Sequence, residues 1–260
     1  MTAGVTPMRV FAASDVGRVR SENQDAFFSG PIPDGRERSH GQLLLVADGM
    51  GGHAAGAVAS GLAVETILKV FYEEPLVLGA DPGPLLRRAF QAANYAILEA
   101  GREDQARFGM GTTCTALLLR DSQAWLCHVG DTRIYRLRGG ALEQITRDHT
   151  LLQQMIDTEQ LKPDDILRRS IRHILVRAMG SEERVRVDSN KTPIPVLVGD
   201  AFLLSSDGLH DLLSEEDILG LLAANSGQAA VAALTEAALA AGAPDNVTVL
   251  LAQWDDSEEG

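Results

Sequence analysis

The stretch that decides the fold is residues 43–53, which read Leu43-Leu44-Leu45-Val46-Ala47-Asp48-Gly49-Met50-Gly51-Gly52-His53. Its apolar run predicts a buried strand that ends at one carboxylate and a glycine-rich turn. An isolated carboxylate is strongly disfavoured away from water, so Asp48 needs a partner. A hard divalent cation such as Mg²⁺ or Mn²⁺ is a suitable one, and it requires several oxygen ligands. The stretch therefore predicts that other strand ends also carry Asp.

Three further Asp residues lie at the ends of apolar runs. Asp131 and Asp207 follow such runs, and Asp245 precedes one. A single Asp-Gly pair is most often a hairpin turn, but four Asp residues in these positions favour a metal site built from several carboxylates. Asp48, Asp207 and Asp245 are the first candidate ligands. Gly49 could add its carbonyl, because a residue without a Cβ allows close approach.

Composition narrows the class of protein. The 260 residues, of which 45% are hydrophobic, favour one large domain with an ample core. A net charge of −13 argues against a nucleic-acid partner, although a local basic pocket for a phosphate remains compatible with it. No apolar run approaches ~20 residues, so no membrane span is expected, and residues 1–8 lack the features of a signal peptide. Cys114 and Cys127 lie in apolar runs and predict buried thiols in a cytoplasmic protein.

The order of elements predicts an α+β fold. Strands are followed by two helices, more strands, an irregular charged stretch at 146–183, a strand, two helices and a last strand. Paired helices and a Gly139-Gly140 hairpin favour antiparallel sheets in a sandwich. Gly101 is expected to end the second helix. One domain is expected over 9–254, with flexible termini at 1–8 and 255–260.

Arg20 and Asp25 are candidates for a supporting role. A guanidinium can hold two phosphoryl oxygens at once, so Arg20 is a candidate phosphate clamp, although most loop arginines are simply solvated. Asp25 could order water molecules around a metal ion, or it could merely begin a strand. Both alternatives stay open at the level of sequence.

The roles of Asp131 and of the histidines are less well determined by the sequence. Asp131 could pair with Arg133, or it could hold another cation beside Asp207. His53 follows the glycine-rich turn and could donate a proton or contact phosphate, but a lone histidine is more often structural. Four other histidines show no partner pattern and are expected to be structural: His128, His149, His173 and His210.

The oxygen-rich donor set suits Mg²⁺ or Mn²⁺, and the absence of Cys-x-x-Cys or paired His argues against structural zinc. Two such ions about 3.5–4 Å apart can lower the pKa of a shared water and direct it at phosphorus. Such chemistry needs no Ser or Cys nucleophile.

Six motifs in order resemble the metal-dependent protein phosphatases of the PP2C type (the PPM family), and the bacterial serine/threonine branch is the most similar. The resemblance extends from about residue 9 to 253. Each motif alone is weak, but six in this order are specific. The motifs are Arg20-Ser21-Glu22-Asn23-Gln24-Asp25, Ala47-Asp48-Gly49-Met50-Gly51-Gly52-His53, Gly111-Thr112-Thr113, Gly130-Asp131-Thr132-Arg133, Ser206-Asp207-Gly208-Leu209 and Asp245-Asn246-Val247-Thr248.

The resemblance implies a four-layer α-β-β-α sandwich with two antiparallel sheets between helix pairs. It implies hydrolysis of phosphoserine and phosphothreonine in proteins, by in-line attack of a water that bridges two Mg²⁺ or Mn²⁺ ions. The irregular stretch at about 150–180 would form a flap beside the active site. Phosphorylated proteins, which a Ser/Thr kinase would supply, are the implied partners of a cytoplasmic monomer that binds neither nucleic acid nor membrane.

The resemblance also assigns roles to single residues. Asp48 would bridge two ions and Gly49 would give its carbonyl to one, while Asp207 and Asp245 would bind the other. Arg20 would hold the phosphate, and with Asp48 and Asp207 it would act in catalysis. Asp25 would order metal-bound waters, and Asp131 with Asp207 would form a weaker third-ion site.

One position departs from the family pattern. Many eukaryotic members carry a His directly after the Asp-Gly pair and use it as general acid, whereas this chain has Met50. The proton for the leaving group must then come from elsewhere, and a water on the third ion is one hypothesis. Two other functions remain as alternatives, a catalytically idle regulatory module of the same fold and a two-metal nuclease, of which the acidic charge disfavours the second.

Overall fold

Two antiparallel sheets lie face to face in the computed structural model, with helices against the outer face of each. This confirms the predicted α+β sandwich of four layers. The structure describes residues 8–31, 33, 36, 39–52, 54–161 and 168–254. His53 and the predicted flexible ends at 1–7 and 255–260 lie outside these residues.

The described residues form twelve strands and seven helices. In chain order they are β1 (Met8–Asp15), β2 (Asp25–Phe28), β3 (Gln42–Met50), α1 (Ala55–Glu73), α2 (Gly83–Glu103), β4 (Gly111–Thr112), β5 (Cys114–Arg120), β6 (Gln123–Val129), β7 (Arg133–Arg138), β8 (Ala141–Gln144), α3 (Leu151–Asp157), α4 (Arg168–Ile171), β9 (Asp188–Ser189), β10 (Ile194–Pro195), β11 (Ala201–Ser205), α5 (Asp207–His210), α6 (Glu215–Ala224), α7 (Gly227–Ala240) and β12 (Val247–Trp254).

The two sheets have different strand orders. One has the order β1-β12-β11-β7-β8, and the other has β10-β6-β5-β3-β2, with β4 paired to β3 and β9 paired to β6. Met8 pairs with Trp254 at the start of β1. Its placement in a flexible N-terminal segment was therefore wrong, because the last strand is long enough to pair with it.

The core explains why β3 is apolar without alternation. Leu43 and Leu45 pack with α1 and α2 on the outer face of the sheet. Leu44 and Val46 point the other way, between the two sheets. Successive side chains of a strand face opposite sides, so a strand that is covered on both faces has a continuous apolar run.

Helix α1 is long and apolar enough to cross a membrane by length and composition. Its residues Ala59, Ala63, Ile67 and Phe71 are fully buried, and they pack in the core with α2 and β3. A core helix of this kind passes the same test, so the composition of α1 is weak evidence for a membrane span.

Two helix ends show how local contacts decide where a helix begins and ends. Ser214 and Asp217 form a capping box at the start of α6, in which each side chain bonds the other residue's backbone N–H. Helix α2 continues past Gly101 to Glu103, so the predicted stop was wrong. A Cβ at Gly101 would lie 3.2 Å from the Arg107 carbonyl oxygen, and the glycine instead allows the following turn to pack closely.

The irregular stretch leaves the five-stranded sheet after β8, and the chain then joins the seven-stranded sheet at β9, which pairs with β6. Thr150 forms a bridge with Leu175, and Thr112 forms one with Met179. Short helices α3 and α4 lie between Thr150 and Leu175 in the chain. Residues 162–167 of the predicted flap lie outside the described part of the chain.

Candidate active site

One cleft of about 850 Å³ opens where the two sheets meet. Strands β3 and β6 of one sheet and β11 of the other end beside it, and β12 begins beside it. Met50, at the position of the departure from the family pattern, also lines it. Six of the seven residues singled out from the sequence line this cleft: Arg20, Asp48, Gly49, Asp131, Asp207 and Asp245.

The position of each carboxylate follows from a strand end. Asp48 lies near the end of β3, and Asp207 begins α5 directly after β11 and Ser206. Asp131 follows β6 by two residues, and Asp245 precedes β12 by two. These strand ends bring together residues that are almost 200 positions apart in sequence.

The backbone of Asp48 is held by two threonines. The Thr113 hydroxyl accepts from the Asp48 N–H at 3.0 Å, and the Thr113 N–H donates to the Asp48 carbonyl at 2.9 Å. The Thr112 hydroxyl donates to the same carbonyl at 2.8 Å. With its main chain satisfied in this way, Asp48 presents its side chain to the cleft.

Gly49 is required by packing alone. A Cβ at this position would lie 2.0 Å from the Gly56 carbonyl oxygen and 2.7 Å from that of Gln24. Any other residue would force helix α1 away from the end of β3. The role of the Gly49 carbonyl as a ligand stays a prediction.

Asp25 lies beneath the cleft, opposite Asp48 in the pairing of β2 with β3. One of its carboxylate oxygens, Oδ2, accepts from the Ser206 hydroxyl at 2.8 Å and from the Thr248 hydroxyl at 2.6 Å. The other, Oδ1, is buried without a hydrogen-bond partner among the described residues. Burial raises the pKa of Asp25 to about 6, and the two hydroxyl donors oppose that rise.

Three other carboxyls are buried close together, those of Asp48, Asp207 and Asp131, and their simultaneous ionisation is strongly unfavourable. Burial, followed by the neighbouring carboxylates, raises the pKa of Asp48 and of Asp207 well above the ordinary value. Burial and then Asp148 raise the pKa of Asp131 to about 7. Such a cluster requires protons or cations as counter-charge. One of its atoms, Asp207 Oδ1, is also buried without a hydrogen-bond partner among the described residues.

Two arginines decide between alternatives left open by the sequence. Arg133 pairs with Asp148, with Nη2 2.6 Å from Oδ2. The proposed pairing of Arg133 with Asp131 was therefore wrong, and Asp131 faces the cleft beside Asp207. Arg20 also lines the cleft, where its Nη2 donates to Asp245 Oδ2 at 2.8 Å.

Two residues that line the cleft, His173 and Asp211, were not predicted from the sequence as site residues. His173 was expected to be structural, but its Nδ1 lies 2.9 Å from Asp211 Oδ2 and 3.9 Å from Asp207 Oδ2. Asp211 follows Asp207 by four residues, and that helical spacing was a usable signal. His173 belongs to the irregular stretch, where no periodicity predicts a direction for the side chain.

The chain is similar in sequence to known protein phosphatases. A family model described as Protein phosphatase 2C matches residues 18–240. The serine/threonine protein phosphatase PstP of Mycobacterium tuberculosis is 38% identical over 97% of this chain, and the chain spans 46% of the length of PstP. The serine/threonine phosphatase stp of Listeria monocytogenes is 33% identical over 95% of this chain and 96% of its own length.

A solved structure is similar over the whole domain. The crystal structure of the PstP catalytic domain in complex with two manganese ions has a TM-score of 0.82 and 38% identity, and covers 96% of this chain and 99% of that one. The matched family model covers well over half of the chain, and its range includes Arg20, Asp48 and Asp207. The chain therefore belongs to the protein phosphatase 2C family.

Proposed function

We propose that this chain is a metal-dependent protein phosphatase that hydrolyses phosphoserine and phosphothreonine. The observation that carries the proposal is the convergence of Asp48, Asp207 and Asp245 with Arg20 on one cleft. The family membership supports it, since the PstP and stp relatives are named serine/threonine phosphatases.

The donor set fits two divalent cations of the Mg²⁺ or Mn²⁺ type. All the candidate ligands are oxygens, which these hard ions prefer. The raised pKa values of Asp48 and Asp207 and the unpartnered buried Oδ1 of Asp207 indicate missing counter-charge. Asp48 and the Gly49 carbonyl would hold one ion, and Asp48, Asp207 and Asp245 the other.

Asp131 and Asp25 complete the set. Asp131, with Asp207, would hold a weaker third ion, because both carboxylates line the cleft, and burial and then the charge of Asp131 raise the pKa of Asp207. Asp25 would act through water, since Ser206 and Thr248 fix one of its oxygens and leave the other directed away from them. Cations held there would lower the pKa of a coordinated water, and the oxygen of that water would attack phosphorus.

Arg20 binds and orients the phosphate in this proposal. Its side chain is 53% exposed at the mouth of the cleft. A planar guanidinium donates two parallel hydrogen bonds to phosphoryl oxygens. It thereby aligns phosphorus with the carboxylate cluster and offsets the charge that develops in the transition state.

The proposed partners are phosphorylated proteins that a Ser/Thr kinase has modified. The net charge of −13 supports the exclusion of nucleic acid. We further propose that the chain acts as a monomer in the cytoplasm and does not bind a membrane. The idle regulatory alternative gains no support from the described residues, since the predicted ligands and Arg20 are all present at the cleft.

Release of phosphate from a phosphothreonine peptide tests the proposal. We expect turnover in Mn²⁺, loss of turnover in EDTA, and a loss of more than ~100-fold in Asp207→Asn, because ligand loss removes several kcal/mol of charge stabilisation. Asp104→Asn, at an exposed position outside the cleft, is the matched control. Equal turnover with Mn²⁺ and with EDTA would contradict the proposal.

A further inference from the structure

His149 is a buried side chain that does not line the cleft. It lies directly behind the turn that carries Asp131. Its ring Nδ1 accepts a hydrogen bond from the Gly130 N–H at 3.0 Å. The His149 N–H donates to the Gly130 carbonyl at 2.7 Å. One residue therefore fixes both polar backbone groups of the glycine that precedes Asp131.

The Gly130 turn depends on this support. Gly130 has a φ of +107°, and a Cβ there would lie 2.4 Å from the Thr113 Cβ. The backbone is thus confined between Thr113, which holds Asp48, and His149. A shift of this turn moves Asp131 relative to Asp48 and Asp207.

The other side of the ring is anchored as well. Because Nδ1 accepts from Gly130, the ring is neutral with its proton on Nε2. Nε2 lies 3.2 Å from Asp188 Oδ2, to which it donates, and Arg177 Nη1 donates to Asp188 Oδ1 at 2.8 Å. Arg177 Nη1 also lies 2.8 Å from Nε2, but two donors cannot bond each other, so Asp188 is the acceptor that they share.

Arg177 connects these contacts of the His149 ring to the flap. Arg177 lies in the segment 174–179, which is tied to the sandwich at both ends. The Val176 N–H donates to the His149 carbonyl at 2.9 Å, and Met179 and Thr112 exchange backbone hydrogen bonds at 2.9 and 3.1 Å. A continuous chain of contacts therefore runs from the flap through Asp188 and His149 to the Asp131 turn.

We propose that His149 is a positioning residue, whose ring is fixed by Asp188 and Arg177 and in turn sets the geometry and cation affinity of the Asp131 site. The inference rests on the proposed metal-dependent function. Partners that orient a ligand without touching the metal change metal affinity by about 10- to 100-fold when they are removed. His149 acts one step further back, through the backbone, and couples the order of the flap to the weaker cation site.

Calorimetric titration of the full chain with Mn²⁺ alone tests this inference. Asp131→Asn identifies the binding step that depends on Asp131. His149→Ala is expected to weaken that step at least tenfold and to change the tighter steps less than twofold. His149→Asn is expected to recover most of the loss, because its amide oxygen can occupy the place of Nδ1 and accept from the Gly130 N–H.

A buried histidine elsewhere provides the matched control. His40 is fully buried, it bonds Ser39 and the Glu74 carbonyl, and it does not line the cleft. His40→Ala is expected to lower the melting temperature and leave every Mn²⁺ step within twofold. A purely structural role of His149 would give the same pattern, and that result would overturn the inference.

Asp188→Ala tests the same chain of contacts from the far side of the ring. The substitution leaves the hydrogen bond from the Gly130 N–H to His149 possible but removes the acceptor of His149 Nε2. We expect it to weaken the Asp131-dependent binding step at least threefold. If His149→Ala does not fold, Asp188→Ala and His149→Asn decide the question. Failure of the wild type to bind Mn²⁺ would refute the proposed function, whereas wild-type binding by all variants would refute only this inference.

Discussion

Arg20 donates a hydrogen bond to Asp245 across the mouth of the cleft, with 2.8 Å between Nη2 and Oδ2. The candidate phosphate clamp is thus paired with a candidate metal ligand, 225 residues away in sequence. The side chains are 53% and 33% exposed, so the pair is weak and can be exchanged at small cost. A phosphate on Arg20 and a cation on Asp245 would each replace this contact.

Replacement of Arg20 is expected to weaken substrate capture. Hydrogen bonds to a charged group contribute about 1.5–3 kcal/mol, so Arg20→Ala should lower kcat/KM for a phosphopeptide roughly 10- to 100-fold. Arg20→Lys should recover only part of the lost kcat/KM, because an ammonium cannot form the two parallel hydrogen bonds of a guanidinium. Arg18→Ala, in the same loop but not on the cleft wall, is the control. Steady-state kinetics with kcat/KM unchanged in Arg20→Ala would rule out the clamp.

The hydroxyl groups that donate to Asp25 should determine the pH of the acid limb in the pH–rate profile. The Thr248 hydroxyl lies 2.6 Å from Asp25 Oδ2 and lowers the pKa of that carboxyl, against the larger effect of burial. Thr248→Val removes the donor, so the acid limb should move to higher pH. Thr235→Val removes a buried hydroxyl that bonds only within α7, and it should leave the profile in place. A profile that does not move in Thr248→Val would argue against a role for Asp25 in turnover.

Stabilisation by Mn²⁺ should grow as pH rises from about 5 to 7.5. The pKa values of Asp25 and Asp131 are about 6 and about 7 in the fold, above the ordinary 3.8. A carboxyl with a raised folded pKa adds stability below its unfolded pKa and loses that contribution as pH rises through the folded pKa. Bound cations take the place of the protons and restore it.

The measurement is the melting temperature in Mn²⁺ minus that in EDTA. Each displaced proton changes the difference by roughly 1.4 kcal/mol per pH unit, and each kcal/mol corresponds to roughly 2–4 °C. Burial lowers the pKa of His128 and His210. Their effect on stability has the opposite sign but is the same with and without the metal, so it cancels. A difference that stays constant or falls with pH would oppose the account.

The ion pair of Arg138 and Asp200 should matter for stability and not for catalysis. The Asp200 side chain is 1% exposed and accepts from Arg138 at 2.6 and 2.7 Å and from the Leu197 N–H at 2.8 Å. Asp200→Ala leaves these donors unpaired and should cost about 2–3 kcal/mol of unfolding free energy. Chemical denaturation measures the cost, and Glu236→Ala, at an exposed position in α7, should change the unfolding free energy by less than ~0.5 kcal/mol. A normal kcat per folded molecule is expected for both.

The sequence was sufficient for the carboxylates because strand ends are local features. The apolar run before Asp48 and the short run before Asp207 could be recognised directly, and the fold brings such ends together. Residue chemistry made Arg20 and Gly49 candidates for the site, and the resemblance then assigned a role to each of them.

The residues that were missed depend on contacts between distant segments. His173 reaches Asp211 from the irregular flap, and His149 holds Gly130 from behind. Neither lies on an element with a periodic pattern that predicts a direction. Gly101 was misjudged for a related reason, since a turn that packs against it overrides the tendency of glycine to end a helix.

The most direct test of the central claim is a crystal structure of the chain grown in Mn²⁺, with the ions located by anomalous scattering. The account predicts two ions about 3.5–4 Å apart, with Asp48 between them, the Gly49 carbonyl on one, and Asp207 and Asp245 on the other. Anomalous density absent from this cleft, or found with these three carboxylates directed away from it, would contradict the account.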